Sequence, residues 1–182
     1  DLLSDCAAEM DVVVTIAGSS VGERDPMKSV FEQLGVEIGF WNVAMKPGKP
    51  LAFGKFAGPD GREVPQIGLP GNPVSAMVCA LIFVRPIIEK LLGIKDRWED
   101  KGLAILSKPL PPNDLRQDYL RAKLHVDSSG VLTVTPFQKQ DSSMVSLLAA
   151  SDCLIVREPH APAALMGDKV AILKFPNGMD CF

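Results

Sequence analysis

Residues 68–76 (G-L-P-G-N-P-V-S-A) constrain the fold most, because they join a short apolar run to the longest apolar run of the chain. Asn72 is a good helix N-cap, since its side-chain oxygen can accept from N–H groups of the first turn. Pro73 follows at the first helical position, where a missing N–H costs nothing. The pattern predicts a strand leading into a helix start with exposed backbone donors, which suits a phosphate or another anion. A well-capped buried helix without a ligand is the alternative.

A second strand-to-helix connection of the same kind lies near the start of the chain. Residues 11–15 (D-V-V-V-T) form a β-branched run typical of a strand buried on both faces of a parallel sheet. A loop of small residues follows, and Asp25 with Pro26 repeats the cap-and-proline pattern before a helix over 27–34. Open α/β sheets bind phosphorylated ligands in this geometry, although such loops are also small simply to pack.

Two lysines stand on a stiff turn, K-P-G-K-P at residues 46–50, after a run over 36–45 that predicts a strand. Prolines and a glycine restrict the backbone around Lys46 and Lys49. Their ammonium groups should therefore lose less entropy on binding an oxyanion than lysines of a flexible loop would. Two ordinary solvated lysines are the alternative.

The character of the sequence changes about halfway along the chain. A hairpin over 51–55 and 64–69, and then a long helix kinked or divided at Pro86, complete the first part. The rest holds short β-rich runs separated by turn residues, which predicts a small barrel or sandwich. We therefore expect an α/β domain at 1–96 and an all-β, barrel-like domain at 97–182.

Composition limits the environment and the partners of the chain. Its 182 residues are 47% hydrophobic with a net charge of −3, which is typical of a globular protein and gives no support for broad nucleic-acid binding. The four cysteines form no C-x-x-C pair, so we expect neither zinc nor disulfides, and a cytoplasmic location. Charged residues interrupt the longest apolar run, so no membrane span is expected. Residues 1–10 are typical of a helix end without a preceding cap, and predict that the chain begins inside a domain.

The order of these motifs resembles the C-terminal half of molybdopterin molybdenumtransferase, the molybdenum insertase family that includes the E domain of gephyrin. The resemblance rests on A-G-S-S-V-G-E-R-D, W-N-V-A-M-K-P-G-K-P and G-L-P-G-N-P-V-S, with fainter matches at R-Q-D-Y-L-R and Q-D-S-S-M. It implies a three-layer, molybdopterin-binding α/β domain that is N-terminally incomplete, followed by the β-barrel domain. The first two domains of the family, and the start of the third, are not in this sequence.

The resemblance also implies an activity. Molybdate and adenylylated molybdopterin would give molybdenum cofactor and AMP in a Mg²⁺-dependent transferase reaction. It implies a small-molecule pterin substrate, a homodimer, and a molybdopterin adenylyltransferase as a partner, with no nucleic acid and no membrane.

Site residues are carried over from the family position by position. Asp25, Lys46 and Lys49 are the catalytic candidates, and Asp25 is also the candidate Mg²⁺ ligand. The ligand-binding candidates lie in the two strand-to-helix connections and in the β domain: Gly18, Ser19, Ser20, Gly22, Pro70, Gly71, Asn72, Pro73, Ser75, Arg121 and Ser142. A structural role is the alternative for Asp25 as a helix cap, and for Arg121 and Ser142.

Two departures from the family pattern leave other functions open. Ala17 stands where the family usually has glycine, which is harmless at negative φ and obstructive at positive φ. Asn42 replaces a residue that is often lysine. These changes are the basis for a non-catalytic molybdopterin-binding or scaffolding module. A molybdopterin adenylyltransferase-like enzyme is the other alternative, and the paired motifs with an appended β domain argue against it.

Overall fold

The structure is a computed structural model that describes residues 2–17, 26–58, 61–94 and 101–175. The chain divides into two compact units: Asp1–Val43 with Gly48–Lys95, and Ala44–Pro47 with Asp96–Phe182. Residues 44–47, which the sequence placed in the first domain, lie in the second unit.

The elements are numbered in chain order. The helices are α1 Leu2–Glu9, α2 Pro26–Gln33, α3 Pro73–Cys79, a π-helical segment Ala80–Val84, α4 Arg85–Leu91 and α5 Val145–Ala149. The strands are β1 Val13–Ala17, β2 Glu37–Phe40, β3 Met45–Lys46, β4 Ala52–Ala57, β5 Glu63–Pro70, β6 Lys101–Leu106, β7 Gln117–Val126, β8 Leu132–Pro136, β9 Cys153–Arg157 and β10 Lys169–Lys174.

A four-stranded mixed sheet of order β1-β5-β4-β2 forms the centre of the first unit. The pair β1–β5 is parallel, and the two other pairs are antiparallel. Helices α1 and α2 contribute Ala7 and Phe31 to a hydrophobic cluster with Val13, Val64 and Phe56 of the sheet. This burial of apolar surface fixes the helices against the strands.

Strand β1 is less buried than its β-branched run predicts. Val13 is 6% exposed, but Val14 is 40% and Ile16 is 68% exposed. Among the described residues β1 has one neighbour, β5, so it is an edge strand there and the expectation of burial on both faces is wrong.

The long helix after residue 72 is divided, as predicted, but the division begins before Pro86. The N–H of Arg85 donates to the carbonyl of Ala80, five residues back, at the end of the π-helical segment. Pro86 lacks an N–H and its ring crowds the carbonyl four residues earlier, so the wider π turn relieves both conflicts.

The predicted single strand over 36–45 is also interrupted. Its first part is β2, which pairs with β4 and carries an irregularity between Ile38 and Phe40. Its last part enters β3, which pairs in parallel with β7 of the second unit. A change of sheet between the two parts explains why one continuous strand does not form.

The second unit is a closed five-stranded barrel. Its strands follow the order β7-β8-β6-β10-β9, and β9 pairs again with β7 to close the ring. Leu106, Ala122, Val134 and Ile155 are fully buried inside it. The α/β unit followed by a small β-barrel confirms the predicted fold class. No helix in the described parts of the chain is long and apolar enough to cross a membrane.

Candidate functional site

The carboxyl ends of β1 and β5 lie side by side in the first unit. Ala17 pairs with Pro70, the last residue of β5, and Asn72 follows two positions later. Ligands bind at such strand ends in open α/β sheets. Because Ala17 pairs with Pro70, the end of β1 lies close to the Asn72 turn. The candidates Gly18, Ser19, Ser20, Gly22 and Asp25 follow β1 in the sequence and lie outside the described residues.

Asn72 caps α3 as the sequence predicts. Its backbone is extended, its Oδ1 accepts from the N–H of Ser75 at 3.2 Å, and Pro73 takes the first helical position. The N–H of Ala76 donates to the carbonyl of Asn72 at 2.8 Å. The N–H groups of Ser75 and Ala76 are thus both bonded to Asn72, as in a capped helix start.

A partly buried polar pair lies on these two strands, and the sequence analysis missed it. Gln66 of β5 has no exposed surface, and its Nε2 donates to Thr15 Oγ1 at 3.1 Å. Its Oε1 is buried without a hydrogen-bond partner. Gly68 pairs with Thr15, and a Cβ on it would come within 3.2 Å of the Ala52 Cβ. The sequence signal that could have identified this pair is a single glutamine within the apolar run 64–70.

The lysine turn is held at both ends by backbone hydrogen bonds. The carbonyl of Lys49 accepts from the N–H groups of Val43 and Leu51, both at 3.0 Å. Lys46 is fixed by β3, which pairs it with Asp118 of β7. Gly48 has a φ of 114°, a conformation that favours glycine. Lys49 belongs to the first unit and Lys46 to the second, and each has an exposed side chain on a restrained backbone.

Asp118 is the second residue that the sequence analysis missed as a site candidate. Its Oδ2 lies 3.8 Å from Lys46 Nζ, and its side chain is 14% exposed against 54% for the lysine. Burial raises the pKa of the Asp118 carboxyl, although the nearby positive charges of Lys46, Arg116 and Arg157 act in the opposite direction. The sequence offered no signal, because the pairing of residues 46 and 118 is long-range.

Arg121 and the segment that carries Ser142 are close together in the second unit. Arg121 is 2% exposed, and its Nη1 donates to the carbonyl of Asp141 at 2.9 Å and to that of Met144 at 3.4 Å. Gln140 Oε1 accepts from the backbone N and Nε of Arg121. Burial lowers the pKa of the guanidinium. These contacts favour the structural alternative for Arg121, as a support for the turn that contains Ser142.

The described residues contain no group of three or more His, Cys, Asp or Glu that could hold a metal ion. Three cysteines lie in the described part of the chain, Cys6, Cys79 and Cys153, and all are free thiols. Burial raises the pKa of the Cys79 and Cys153 thiols to about 12, so both are protonated at neutral pH and poorly nucleophilic.

Two families match successive parts of the chain. Residues 1–90 match the family described as a probable molybdopterin binding domain. Residues 104–175 match the C-terminal region, domain IV, of MoeA. A molybdopterin-binding unit followed by a MoeA-type β domain defines the class as a protein of molybdenum-cofactor biosynthesis.

Similar proteins agree with this class. The molybdopterin molybdenumtransferase of Haemophilus influenzae is 37% identical over 170 residues, which is 92% of this chain and 40% of that protein. Its counterpart from a Nostoc species is 34% identical over 127 residues, covering 69% of this chain and 29% of the relative. The crystal structure of a molybdopterin biosynthesis MoeA protein from Pyrococcus horikoshii superimposes with a TM-score of 0.73 at 26% identity, over 96% of this chain and 40% of that one.

The chain belongs to the molybdopterin molybdenumtransferase family, the MoeA-type molybdenum insertases. It spans at most 40% of the length of the two curated relatives described above.

Proposed function

We propose that the chain takes part in molybdenum insertion, in which molybdate and adenylylated molybdopterin give molybdenum cofactor and AMP. The observation that supports this most directly is the lysine turn at residues 46–49. Its backbone is fixed on both sides, and its ammonium groups are exposed. A lysine on a restrained backbone suits a small dianion such as molybdate, since its backbone needs little further ordering when the dianion binds.

Lys46 binds and orients the oxyanion in this proposal. Its ammonium group donates charge-assisted hydrogen bonds to the oxygens of the anion and offsets their negative charge. Lys49, in the first unit, stays a candidate for the same role. Ser142 and the loop that leaves β1 remain ligand-binding candidates for the rest of the substrate. The Asn72 turn supplies the positive end of α3.

The described residues contain no group of three or more His, Cys, Asp or Glu that could hold a metal ion. The candidate Mg²⁺ ligand Asp25 lies outside them, so its metal role and its capping role both stay predictions. We therefore derive no step through Mg²⁺. A homodimer, a molybdopterin adenylyltransferase partner and a cytoplasmic location also stay proposals.

The alternative of a non-catalytic module depended on Ala17 and Asn42. Ala17 is the last residue of β1 and pairs with Pro70, so its backbone is extended. Extended backbone is accessible to any L-residue, so this backbone does not require a glycine. Asn42 remains the one departure that removes a positive charge, which makes insertion the better-supported function.

The function is tested by AMP release from adenylylated molybdopterin in the presence of molybdate and Mg²⁺. The chain spans 40% of its relative from Haemophilus influenzae, so we expect the isolated chain to bind the pterin and to release little AMP. Joining the N-terminal domains of that relative to the chain should restore molybdate-dependent release. Binding is followed in parallel by calorimetry with molybdopterin.

A failure to bind molybdopterin would contradict the proposed ligand. AMP release that is equal with and without molybdate would contradict insertion. Transfer of an adenylyl group from ATP to molybdopterin would instead establish the adenylyltransferase alternative.

Replacing Asn72 with Asp separates capping from ligand binding. Asp and Asn cap helices about equally well, so the melting temperature should stay near that of the original chain. A new negative charge about 4 Å from a bound phosphate would weaken binding of adenylylated molybdopterin by about 1 kcal/mol, roughly fivefold. Calorimetry measures the affinity, and Asn72→Ser is the matched neutral cap. Equal affinity for the Asp and Ser variants would place the phosphate elsewhere.

A further inference from the structure

We propose that Asp118 positions the Lys46 ammonium and sets the charge that an oxyanion meets at that lysine. The inference rests on the proposed role of Lys46 in binding molybdate. It adds a positioning and specificity residue that lies 72 positions away along the chain, on β7.

The geometry comes from the short parallel pair β3–β7. In its register Met45 lies opposite Gln117, and Lys46 lies opposite Asp118. Met45 is 2% exposed, so its burial anchors β3 and fixes where the Lys46 side chain begins. Asp118 Oδ2 then lies 3.8 Å from Nζ, which is close enough for strong attraction and too long for a good hydrogen bond. The ammonium can therefore turn to an oxyanion without losing a short bond.

The surroundings of Asp118 come from three elements. Lys46 faces it from β3, Arg157 lies opposite it on β9, and Arg116 and Asp114 lie in the segment before β7. Arg157 is itself engaged, since its Nη2 donates to the carbonyls of Pro111 and Pro162. Lys46 is the more exposed member of its ion pair, with 54% of its side chain accessible. A ligand from solvent can therefore reach its ammonium group.

A second lysine–aspartate pair on the same strand shows what an ordinary surface pair looks like. Lys123 Nζ lies 3.0 Å from Asp152 Oδ1, and Asp152 Oδ2 also accepts from the N–H of Leu124 at 2.8 Å. The Asp152 carboxylate thus accepts a backbone hydrogen bond in addition to its contact with the lysine. Asp118 is more buried, with 14% of its side chain exposed against 36% for Asp152, and it lies against a lysine that is 54% exposed.

The carboxylate has two opposed effects on an oxyanion at Lys46. It holds the ammonium in place between turnovers, and its negative charge repels the incoming dianion. Removing the charge should therefore lower the concentration of molybdate that is needed and also lower kcat, because the ammonium is then less well placed. Burial raises the pKa of this carboxyl. Lowering the pH through that pKa protonates Asp118, and oxyanions should then bind better.

The first experiment measures molybdate-dependent AMP release by the chain joined to the N-terminal domains of its Haemophilus influenzae relative and carrying Asp118→Asn. We expect the KM for molybdate to fall ~3- to 10-fold while kcat also falls, as removal of one nearby charge predicts. Asp118→Glu keeps the charge and should keep the KM near that of the original protein. The matched controls Lys123→Ala and Asp152→Asn should change neither constant by a comparable factor.

The second experiment measures inhibition by sulfate, whose charge stays constant between mildly acidic and neutral pH. Sulfate should inhibit the original protein more strongly as the pH falls, and Asp118→Asn should remove this dependence. Carbon-13 NMR of the aspartate carboxyls reads the same titration in the chain without turnover. Lys46→Met should raise the pKa of Asp118 further, because it removes an attractive charge.

The outcomes separate this inference from the proposed function. An unchanged KM and an unchanged sulfate pH profile in Asp118→Asn, with a Lys46→Ala variant that is impaired, would overturn the role of Asp118 alone. A Lys46→Ala variant with normal molybdate use would overturn the proposed function instead. If Asp118→Asn lowers the melting temperature and leaves the sulfate pH profile unchanged, Asp118 is merely structural and the inference fails.

Discussion

Replacing Lys46 with Ala should raise the molybdate concentration needed for half-maximal AMP release by about 10- to 100-fold. This is the range that corresponds to losing one hydrogen bond from a charged group, about 1.5–3 kcal/mol. The Lys46 side chain is 54% exposed, so its truncation opens no cavity and the melting temperature should stay close to the original. The measurement is AMP release, titrated with molybdate, by the chain joined to the N-terminal domains of its Haemophilus influenzae relative.

Lys46→Arg tests whether the shape of the cation matters. Arginine keeps the charge, but its wide planar guanidinium cannot reproduce the compact ammonium beside Asp118. We expect only partial recovery of the molybdate response. Lys123→Ala is the matched control, because Lys123 is also paired with an aspartate and its side chain is 52% exposed. If Lys46→Ala and Lys123→Ala behave alike, Lys46 is an ordinary surface lysine.

Local sequence signals predicted much of the fold because the responsible interactions are short-range. The Asn72-Pro73 cap depends on atoms within one turn, and it was found at the predicted place. Turn residues between short β-rich runs also predicted the barrel of the second unit, to which β9 and β10 belong. The helix predicted over 27–34 is also found, as α2 over Pro26–Gln33.

Long-range pairing could not be predicted in the same way. Nothing near Met45 indicates that this residue leaves the first sheet and pairs with Gln117, far along the chain. Asp118 was therefore missed, although its neighbour Lys46 was a candidate. The exposure of Ile16 was missed for a similar reason, since a β-branched run does not reveal how many neighbours its strand has.

The candidate site was predictable at the level of motifs and less so at the level of atoms. The lysine turn and the Asn72 turn follow from their residues, and so do the hydrogen bonds from Ser75 and Ala76 to the capping Asn72. Arg121 was a ligand-binding candidate because it matches a family position. A motif, however, does not reveal whether a side chain is buried. Its 2% exposure and its carbonyl partners are properties of the folded barrel.

Arg121→Lys should lower the free energy of unfolding by roughly 2–4 kcal/mol, because a lysine cannot replace the guanidinium fork. Three acceptors depend on that fork: Gln140 Oε1 and the carbonyls of Asp141 and Met144. A buried acceptor without its donor loses most of the energy of its hydrogen bond. The loss should be independent of pH over the working range, since an arginine stays protonated there. Urea unfolding of the chain measures it.

Gln140→Ala provides the matched comparison within the same network. Gln140 Nε2 donates to the carbonyls of Arg121 and Phe137, while its Oε1 accepts from Arg121. Because the two side chains share partners, the double variant should lose less stability than the sum of the single changes. Ser142→Ala should leave the unfolding free energy nearly unchanged and lower ligand affinity if Ser142 contacts the substrate. An Arg121→Lys variant with normal stability and lost ligand binding would instead make Arg121 a direct ligand of the substrate.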